Sequence, residues 1–328
     1  MILAGDIGGT KTNVALFQTN GSEVGAVIKQ RTFRSADYDS LETILREFVG
    51  ENELRITGAC FGIAAPVVQG HAKTPNLNWT VNAESLAEVL EIGRVGLIND
   101  LEATARGIPA LSHSQLLTLN AGDPKRGGDR ALIAAGTGLG VAGIFYRDGE
   151  YEFIPSEGGH SDFAPRTPLE IELLRYLTEK FAGHVSYERV LSGPGLFNIY
   201  CFLRDSKHAE EPAWLADQIE SGNKTAAVSA AALANKSELA VKALDMFVAV
   251  YGAMAGNIAL LMMSIGGLYV GGGIAPKILE KLKDGTFMRA FSDKGRLSSL
   301  VATVPVHIIL DDKTALFGAA RGALDVSG

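Results

Sequence analysis

GDIGGTKT, residues 5–12, lies between two apolar segments near the start of the chain. Residues 1–4 form a short apolar run, which is typical of a buried strand, and residues 12–17 are predicted to form a second strand. The glycines are therefore predicted to form a tight turn between two strands. Gly8 and Gly9 can adopt positive φ in such a turn, which lets the backbone approach a ligand closely.

The polar groups of this segment suit an anion that carries a metal ion. The two glycine N–H groups and the hydroxyl of Thr10 can face the anion, and Asp6 would point a carboxylate at the same place. A carboxylate beside phosphate-binding amides requires a cation between them, and Mg²⁺ is the usual one. A glycine hairpin without any ligand explains the segment equally well at this point.

Two familiar nucleotide-binding motifs are not supported. GDIGGTKT is close to the P-loop pattern, but Thr10 stands where that pattern needs its second glycine, and the next residues lack a helical period. Residues 138–143 match GxGxxG, but the strand-like residues 144–146 follow where a dinucleotide fingerprint must open a helix. The sequence therefore predicts neither a P-loop nor a Rossmann domain.

Composition limits the class of protein and its partners. The 328 residues are 47% hydrophobic and 20% charged, which is typical of a globular chain with one large or two ordinary domains. A net charge of −7 argues against nucleic acid as a partner, since phosphate backbones are bound through concentrated Lys and Arg. Cys60 and Cys201 have no CxxC spacing, which argues against a disulfide framework and favours a reducing cytosol.

Membrane association and secretion are not expected either. The longest apolar stretch, residues 248–265, is interrupted by a tyrosine, an asparagine, a serine and glycines, which predicts a buried helix rather than a membrane span. The N-terminus has no basic segment, and its apolar residues are needed as the first strand, so we expect no signal peptide.

The order of predicted elements repeats along the chain. Residues 1–33 form a meander of three strands with a glycine turn, followed by alternating helices and strands. After residue 110 a second meander with a second glycine turn begins. We therefore predict two α/β domains, residues 1–110 and residues 111–300, with residues 301–328 completing the first. Two glycine turns that faced each other across a cleft would clamp one polyphosphate.

Asp100 is the first candidate for chemistry. It follows a predicted buried strand, residues 95–98, and opens a helix directly after Asn99. Ligands bind at the carboxyl ends of strands in α/β sheets. An N-cap role for Asp100 is the alternative, because an aspartate there satisfies free helix N–H groups.

A second candidate surrounds the Gly-Gly turn at residues 158–159. Glu157, His160 and Asp162 lie within six residues, and Glu188 is a similar acidic residue before a Gly-Pro-Gly segment. Glu157 and His160 suit a metal, but no further His or Cys lies nearby to complete a zinc site. A fixed His and Glu also suit sugar hydroxyls, which need both donors and acceptors. For Glu188 the alternative is a solvated helix face.

Two further glycine segments have the properties of nucleotide-binding turns. Gly136-Thr137-Gly138 repeats the chemistry of the first turn, with small residues and one hydroxyl between strands. Gly271-Gly272-Gly273 follows a strand and precedes a helix, which lets a flat ligand such as adenine or ribose lie against bare backbone.

Six motifs in this order give the chain a family resemblance: GDIGGTKT, LINDLEA, AAGTGLG, SEGGHSDFAP, ERVLSGPG and YVGGGIAPK. Over nearly its full length the chain resembles bacterial-type glucokinases of the sugar kinase/actin/Hsp70 superfamily. The resemblance implies two RNase H-like α/β domains with mixed β-sheets flanked by helices and a cleft between them. It further implies ATP- and Mg²⁺-dependent phosphorylation of the 6-hydroxyl of D-glucose by a cytoplasmic enzyme that is often a homodimer.

The resemblance also implies roles for individual residues. Asp100 would be the general base on the 6-hydroxyl. Asp6 would lie near Mg²⁺ and would contact it through a water molecule. The residues that would hold glucose are Asn99, Asp100, Glu157, His160 and Glu188. The residues that would hold ATP are Gly5, Asp6, Ile7, Gly8, Gly9, Thr10, Gly136, Thr137, Gly138, Gly271, Gly272 and Gly273.

Departures from related families define the alternatives. The related ROK sugar kinases carry a cysteine-rich zinc motif after their active-site His, whereas no cysteine follows His160 before Cys201, which favours the zinc-free group. A kinase for another hexose or an amino sugar is the nearest alternative. A non-catalytic sugar sensor would usually add a helix-turn-helix, for which we expect no room before Ile2, and an actin-like switch has no use for the Asn99-Asp100 pair.

Overall fold

The computed structural model describes residues 1–21, 23–50, 55–74, 77–123 and 127–327. They form two compact units, the first made of Met1–His113 with Asp311–Gly328 and the second of Ser114–Leu310. The first unit is therefore built from both ends of the chain, whereas the second is continuous in sequence.

In the part of the chain that the structure describes, the first unit contains a five-stranded sheet, a small three-stranded sheet and four helices. Its strands are β1 Ile2–Ile7, β2 Lys11–Asn20, β3 Glu23–Arg34, β4 Gly58–Ile63, β5 Val67–Val68, β6 His71–Lys73, β7 Thr80–Asn82 and β8 Val95–Asn99. Its helices are α1 Leu41–Val49, α2 Ala83–Leu90, α3 Asp100–Gly107 and, from the C-terminal segment, α12 Thr314–Val326.

The large sheet of this unit has the order β3-β2-β1-β4-β8. The first three strands form an antiparallel meander, and β1, β4 and β8 run parallel. The register aligns Ile7 with Ile63 and Ile63 with Asn99. The carboxyl ends of the three parallel strands thus meet in one row at one edge of the sheet.

Alternation along β1 explains why helices cover both faces of this sheet. Ile2 and Ala4 join a cluster with Leu316 and other residues of α12, whereas Leu3 and Ile7 join a cluster that contains the apolar faces of α1 and α2. Successive side chains of a strand point to opposite faces, so a strand that is apolar throughout must be buried on both.

The second unit contains a six-stranded sheet and eight helices among the described residues. The strands are β9 Leu116–Asn120, β10 Arg130–Ala135, β11 Leu139–Arg147, β12 Glu150–Ser156, β13 Gly267–Gly271 and β14 Val306–Ile309. The helices are α4 Pro168–Phe181, α5 Gly193–Asp205, α6 Ala213–Ser221, α7 Lys224–Leu233, α8 Glu238–Leu261, α9 Leu279–Lys283, α10 Thr286–Ser292 and α11 Ser298–Val301.

Its strand order, β12-β11-β10-β13-β14-β9, repeats the order of the first sheet over five strands. Again the first three strands form an antiparallel meander, and β10, β13 and β14 run parallel. The strand β9 is an addition that pairs antiparallel with β14. The predictions of a duplicated unit and of mixed sheets flanked by helices are confirmed.

The helix α8 is the central helix of the second unit. It is the only helix among the described residues that is long and apolar enough to cross a membrane, and 72% of its most apolar window is buried inside the protein. Its side chains belong to the main core of this unit. A mostly buried helix of this kind fits the predicted core helix.

The structure corrects several predicted boundaries. Residues 301–328 do not all complete the first unit, because β14 pairs with β13 and β9 and so belongs to the second sheet. The helix on which Glu188 was expected to lie is only a 3₁₀ turn, Tyr187–Arg189. The helix predicted to follow Gly271-Gly272-Gly273 begins as a 3₁₀ turn, Ala275–Ile278, and continues as the short α9.

Candidate active site

The first glycine turn joins β1 to β2, as predicted. Gly8 N donates to Lys11 O at 2.9 Å, which closes a tight connection at the carboxyl end of β1. Gly8 does not use its freedom to adopt positive φ, and a Cβ there would lie 3.0 Å from the carbonyl oxygen of Lys11. The hydroxyl of Ser35 donates a hydrogen bond to Gly8 O in this turn. Sequence reasoning did not single out Ser35.

Gly5 and Ile7 have packing roles within β1. A Cβ on Gly5 would lie 2.5 Å from Cδ1 of Phe61, so the glycine makes room for that ring. Ile7 is buried in the core of the first unit. The proposed contact of these two residues with a nucleotide is therefore limited to their backbone, whereas Gly8, Gly9 and Thr10 lie at least partly open to solvent.

Asp6 is a half-buried carboxylate at the end of β1. Burial raises the pKa of its carboxyl group, a hydrogen bond from Asn13 at 3.5 Å opposes that rise, and the negative charge of Asp312 adds to it. Asp312 is a second acidic group near Asp6. The sequence did not indicate it, because it lies 306 positions after Asp6 in the chain. Two carboxylates with little compensation suit a hard divalent cation, so these residues fit the expected Mg²⁺.

Asn99 and Asp100 lie where β8 passes into α3. Asn99 is the N-cap of α3, and its Oδ1 accepts from Leu101 N at 2.8 Å while its amide donates to Ala65 O at 3.2 Å. Asp100 is the first helical residue, and its Oδ1 also accepts from Leu101 N, at 2.9 Å. Asn99 thus takes the capping role that was the alternative explanation for Asp100.

Asp6, the first glycine turn and Asp100 lie at the same edge of the first sheet. Asp6 is aligned with Gly62 on β4, and a Cβ on Gly62 would lie 3.9 Å from Cα of Asp100. Neighbouring strands are about 4.8 Å apart, so β1 and β8 are separated by about 10 Å across β4. The predicted anion turn, metal carboxylate and base are therefore brought together by the parallel strands.

The second glycine turn, Gly136-Thr137-Gly138, joins β10 to β11 in the second unit. Gly136 N donates to Gly138 O at 2.8 Å, and Gly193 N donates to Gly136 O at the same distance. Glu188 Oε2 accepts from Leu139 N at 3.0 Å, and a Cβ on Gly138 would lie 2.5 Å from that oxygen. Glu188 therefore stabilises this turn and is also a candidate sugar ligand.

Glu157 and His160 border a 3₁₀ turn that packs on the start of β11. His160 N donates to Glu157 O at 2.9 Å, and both residues are exposed. Gly159 fits against the backbone, since a Cβ there would lie 1.9 Å from Leu139 O. Leu139 thus links this turn, Glu188 and the second glycine turn. Asp162 forms an exposed ion pair with His184 at 2.9 Å instead of joining them.

The third glycine segment begins at the end of β13, next to the second turn. Gly271 is the buried last residue of the strand, whereas Gly272 and Gly273 are exposed. Gly272 has a φ of 83°, and a Cβ there would lie 2.3 Å from Ala135 O, so only glycine fits. Gly136 lies close to Gly273, because a Cβ on Gly136 would be 4.0 Å from Gly273 N.

Tyr251 of α8 contacts the backbone of both strands, β10 and β13, at this point. Its hydroxyl accepts from Ala135 N at 3.2 Å and lies within donating distance of Gly271 O at 3.4 Å. Burial raises the pKa of this fully buried tyrosine, which therefore stays neutral. Its hydroxyl satisfies backbone groups where β10 and β13 stop pairing, and no motif in the sequence pointed to it.

No group of three or more His, Cys, Asp or Glu that could hold a metal occurs among the described residues. The candidate site residues form two sets, because some lie in the first unit and the others in the second. The first comprises Asp6, Gly8, Gly9, Thr10, Asn99 and Asp100; the second comprises Gly136, Thr137, Gly138, Glu157, His160, Glu188, Gly272 and Gly273.

Comparisons with known proteins agree over the whole chain. A family model described as Glucokinase matches residues 3–325. A glucokinase from Nostoc sp. (strain PCC 7120) is 42% identical over 334 residues, covering 98% of this chain and 98% of that protein. A glucokinase from Synechocystis sp. (strain PCC 6803) is also 42% identical, covering 97% of this chain and 96% of that protein.

A solved structure extends the likeness to the fold. The crystal structure of a glucokinase from an Antarctic psychrotroph matches with a TM-score of 0.85 and 30% sequence identity, covering 99% of this chain and 98% of that one. The family model, the identity over nearly the full length and the shared fold lead to one conclusion: the chain belongs to the glucokinase family.

Proposed function

We propose that this chain transfers the γ-phosphoryl group of ATP to the 6-hydroxyl of D-glucose, with Asp100 as the general base. The observation that carries the assignment of the base is the placement of Asp100 at the carboxyl end of β8, on the sheet edge that also holds the first glycine turn. The hydrogen bond from Leu101 N fixes the direction of its carboxylate.

The proposed chemistry is mostly a matter of position and charge. Phosphoryl transfer asks the protein to align the nucleophile with the phosphorus atom and to neutralise the charge on the phosphate oxygens. Backbone N–H groups of the first glycine turn would supply donors to the triphosphate, the family resemblance implies the same role for those of the second turn, and Asp6 would hold Mg²⁺ through water. The metal ion, when bound, neutralises phosphate charge. Asp100 accepts the proton of the hydroxyl as the new O–P bond forms.

The remaining polar residues would hold and orient the sugar. Asn99 sits beside the base and is itself fixed by two hydrogen bonds, one to Leu101 and one to Ala65. Glu188 accepts from Leu139 N with one oxygen, and a carboxylate has about four lone-pair sites, so it has capacity for a sugar hydroxyl as well. Glu157 and His160 add an acceptor and a donor from their exposed turn.

Three further properties belong to the same proposal. We infer that ATP is used as its Mg²⁺ complex, supported by the hard oxygen ligands of Asp6 and Asp312. We infer a cytoplasmic location, supported by two buried cysteines that form no disulfide. We infer a homodimer from the family resemblance alone, and size-exclusion chromatography with light scattering tests it.

The substitution Asp100→Asn tests the base. We expect it to lower kcat by at least about 10²-fold, because general-base catalysis contributes that much, while glucose still binds with nearly unchanged affinity. Steady-state kinetics and calorimetric titration with glucose measure the two quantities. Asp37→Asn, which changes an exposed carboxylate of the same unit, serves as the control and should leave kcat unchanged.

Near-normal turnover in Asp100→Asn would refute the assignment of the base. The same coupled assay, run with glucose, ATP or Mg²⁺ left out in turn, tests each substrate and the metal. With mannose, fructose and glucosamine in place of glucose it tests the sugar. A higher kcat/KM for any of these than for glucose would show that the chain is a kinase for another sugar.

A further inference from the structure

Ser35 is a fully buried serine that follows β3, and it makes two hydrogen bonds to the first glycine turn and a third to Thr12 of β2. Its N–H donates to Thr10 O at 3.1 Å, and its hydroxyl donates to Gly8 O at 2.8 Å. The third bond, at 3.0 Å, joins the hydroxyls of Ser35 and Thr12, and both residues have no exposed surface. The turn is thus attached to the protein interior by one residue that follows another strand.

The direction of each hydrogen bond follows from the number of protons. A serine hydroxyl has one proton to donate, and Ser35 gives it to Gly8 O. The Thr12 hydroxyl must therefore donate to Ser35, which makes a short chain from Thr12 through Ser35 to the Gly8 carbonyl. This chain has a single consistent direction, so it holds the Gly8 carbonyl in one orientation.

Fixing two carbonyls fixes two N–H groups on the opposite side of the backbone. The peptide bonds of the turn are trans, and in a trans peptide the C=O and the following N–H point in opposite directions. Because the carbonyls of Gly8 and Thr10 point toward Ser35, the N–H groups of Gly9 and Lys11 point away from it. The turn therefore presents donors on the face away from the core.

We propose that Ser35 is a positioning residue that aims the Gly9 and Lys11 amides at the phosphates of the nucleotide. This inference rests on the proposed function and deepens it, because it concerns the same phosphate site. Ser35 itself touches no ligand, since its hydroxyl is buried and its N–H and hydroxyl both donate hydrogen bonds to the turn. Its effect is to preorganise the turn, so that nucleotide binding does not carry the entropy cost of ordering these amides.

The test compares phosphate-containing and phosphate-free ligands by calorimetric titration of the full chain. In Ser35→Ala we expect the Kd of AMPPNP with Mg²⁺ to rise about tenfold, the loss expected when charge-assisted hydrogen bonds are weakened. The Kd of adenosine should change less than about twofold, since adenosine has no phosphate. A merely structural role would weaken both ligands alike, and that result would overturn the proposal.

Two further variants keep the test decisive. Ser237→Ala removes another buried serine hydroxyl, one that accepts a hydrogen bond from Ala240 N at 3.3 Å. Because this hydroxyl lies at the start of α8 and not at the glycine turn, the Kd of AMPPNP should stay the same. Thr12→Val breaks only the first link of the chain and should raise that Kd about two- to threefold. If Ser35→Ala fails to fold, an unchanged Kd for AMPPNP in Thr12→Val overturns the proposal.

These measurements separate the two hypotheses. Binding is measured without glucose, so an unmodified chain that binds AMPPNP but does not phosphorylate glucose would refute the proposed function and leave the role of Ser35 in place. An unmodified chain that does not bind AMPPNP would overturn both.

Discussion

Single polar side chains hold the backbone of the site in place. Glu188 binds Leu139 N, Tyr251 binds Ala135 N, and Asn99 binds Leu101 N. Each of these N–H groups lies at a strand end or a helix start, where the regular ladder supplies no partner. Leaving such a buried donor unpaired costs about 1–3 kcal/mol, so these contacts both stabilise the fold and fix the turns that would face the substrates.

Asp6 is the residue at which stability and the proposed metal binding oppose each other. Its pKa is raised above the ordinary value of 3.8, chiefly by burial, so the folded protein favours the protonated acid. A carboxyl group whose folded pKa is above its unfolded pKa stabilises the fold at low pH. That contribution is lost as the pH rises through the folded pKa, so at neutral pH the buried charge is a cost.

Asp6→Asn should therefore stabilise the protein while removing the metal carboxylate. At pH 7.5 we expect Tm to rise by about 1–2 °C, which corresponds to about 1 kcal/mol in a protein of 328 residues. The gain should shrink toward zero as the pH is lowered to 4, and kcat/KM for MgATP should fall. Thermal denaturation across this pH range gives the Tm values. In Asp37→Asn no comparable gain is expected, and a lower Tm in Asp6→Asn at pH 7.5 would contradict the prediction.

At the scale of elements, α3 is held by contacts that leave no space for side chains. A Cβ on Gly318 of α12 would lie 1.7 Å from Ala103 O, and one on Gly107 would lie 2.1 Å from Thr314 O. On the side of α3 that faces the sheet, a Cβ on Gly62 would lie 2.7 Å from the Cβ of Ala103. Since Asp100 is the first residue of α3, these contacts also set the position of the proposed base.

Gly318→Ala should move α3 and so reduce catalysis more than its effect on stability explains. The added methyl must push Ala103 away, at a cost of about 1–3 kcal/mol for an overpacked core. Because a displacement of about 1 Å can cost 10²-fold in rate, we expect kcat to fall at least about tenfold. Steady-state kinetics well below the Tm of the variant measure this fall.

Gly322→Ala is the matched control for that experiment. Gly322 lies one turn further along α12, and a Cβ there would lie 2.8 Å from Sγ of Cys60 on β4 rather than against α3. Both variants should lower Tm, but only Gly318→Ala should lower kcat. Equal kcat values in the two variants would show that α12 does not set the position of Asp100.

Elements with a clear apolar period could be predicted, whereas short ones could not. The strand β10 and the helix α4 are of the first kind, because Arg130–Ala135 is a buried apolar run and Pro168 opens a segment with helical apolar spacing. The strands β5, β6 and β7 have only two or three residues each, too few for any period. They exist because the chain between β4 and β8 pairs with itself.

The site shows the same division between local and long-range information. The glycine turns and Asp100 could be placed because each directly follows a predicted strand. Ser35 acts on Gly8 from 27 positions away, and Glu188 acts on Leu139 from 49. Contacts of this kind depend on which strands and turns become neighbours, and neither the spacing of residues nor their local propensity carries that information.

At the scale of the whole molecule, the two units share a strand order but differ in how the chain builds them. The second unit is continuous from Ser114 to Leu310, whereas the first needs α12 from the end of the chain. That helix supplies Leu316 and Ala319 to the cluster on one face of the first sheet, opposite Ile2 and Phe17. The first unit therefore cannot bury this face until the C-terminal helix is in place.

Leu316→Ala should consequently destabilise the first unit alone. Removing a fully buried leucine side chain costs about 2–5 kcal/mol, and Leu316 belongs to a core cluster whose members all lie in the first unit. Hydrogen exchange followed by mass spectrometry should show faster exchange in β1 and β4 and unchanged exchange in β10 and β13. Leu215→Ala, at a fully buried leucine of α6, should give the opposite pattern. Equally faster exchange in all four strands after Leu316→Ala would mean that the two units unfold as one cooperative body, and the dependence of the first unit on α12 would then extend to the whole chain.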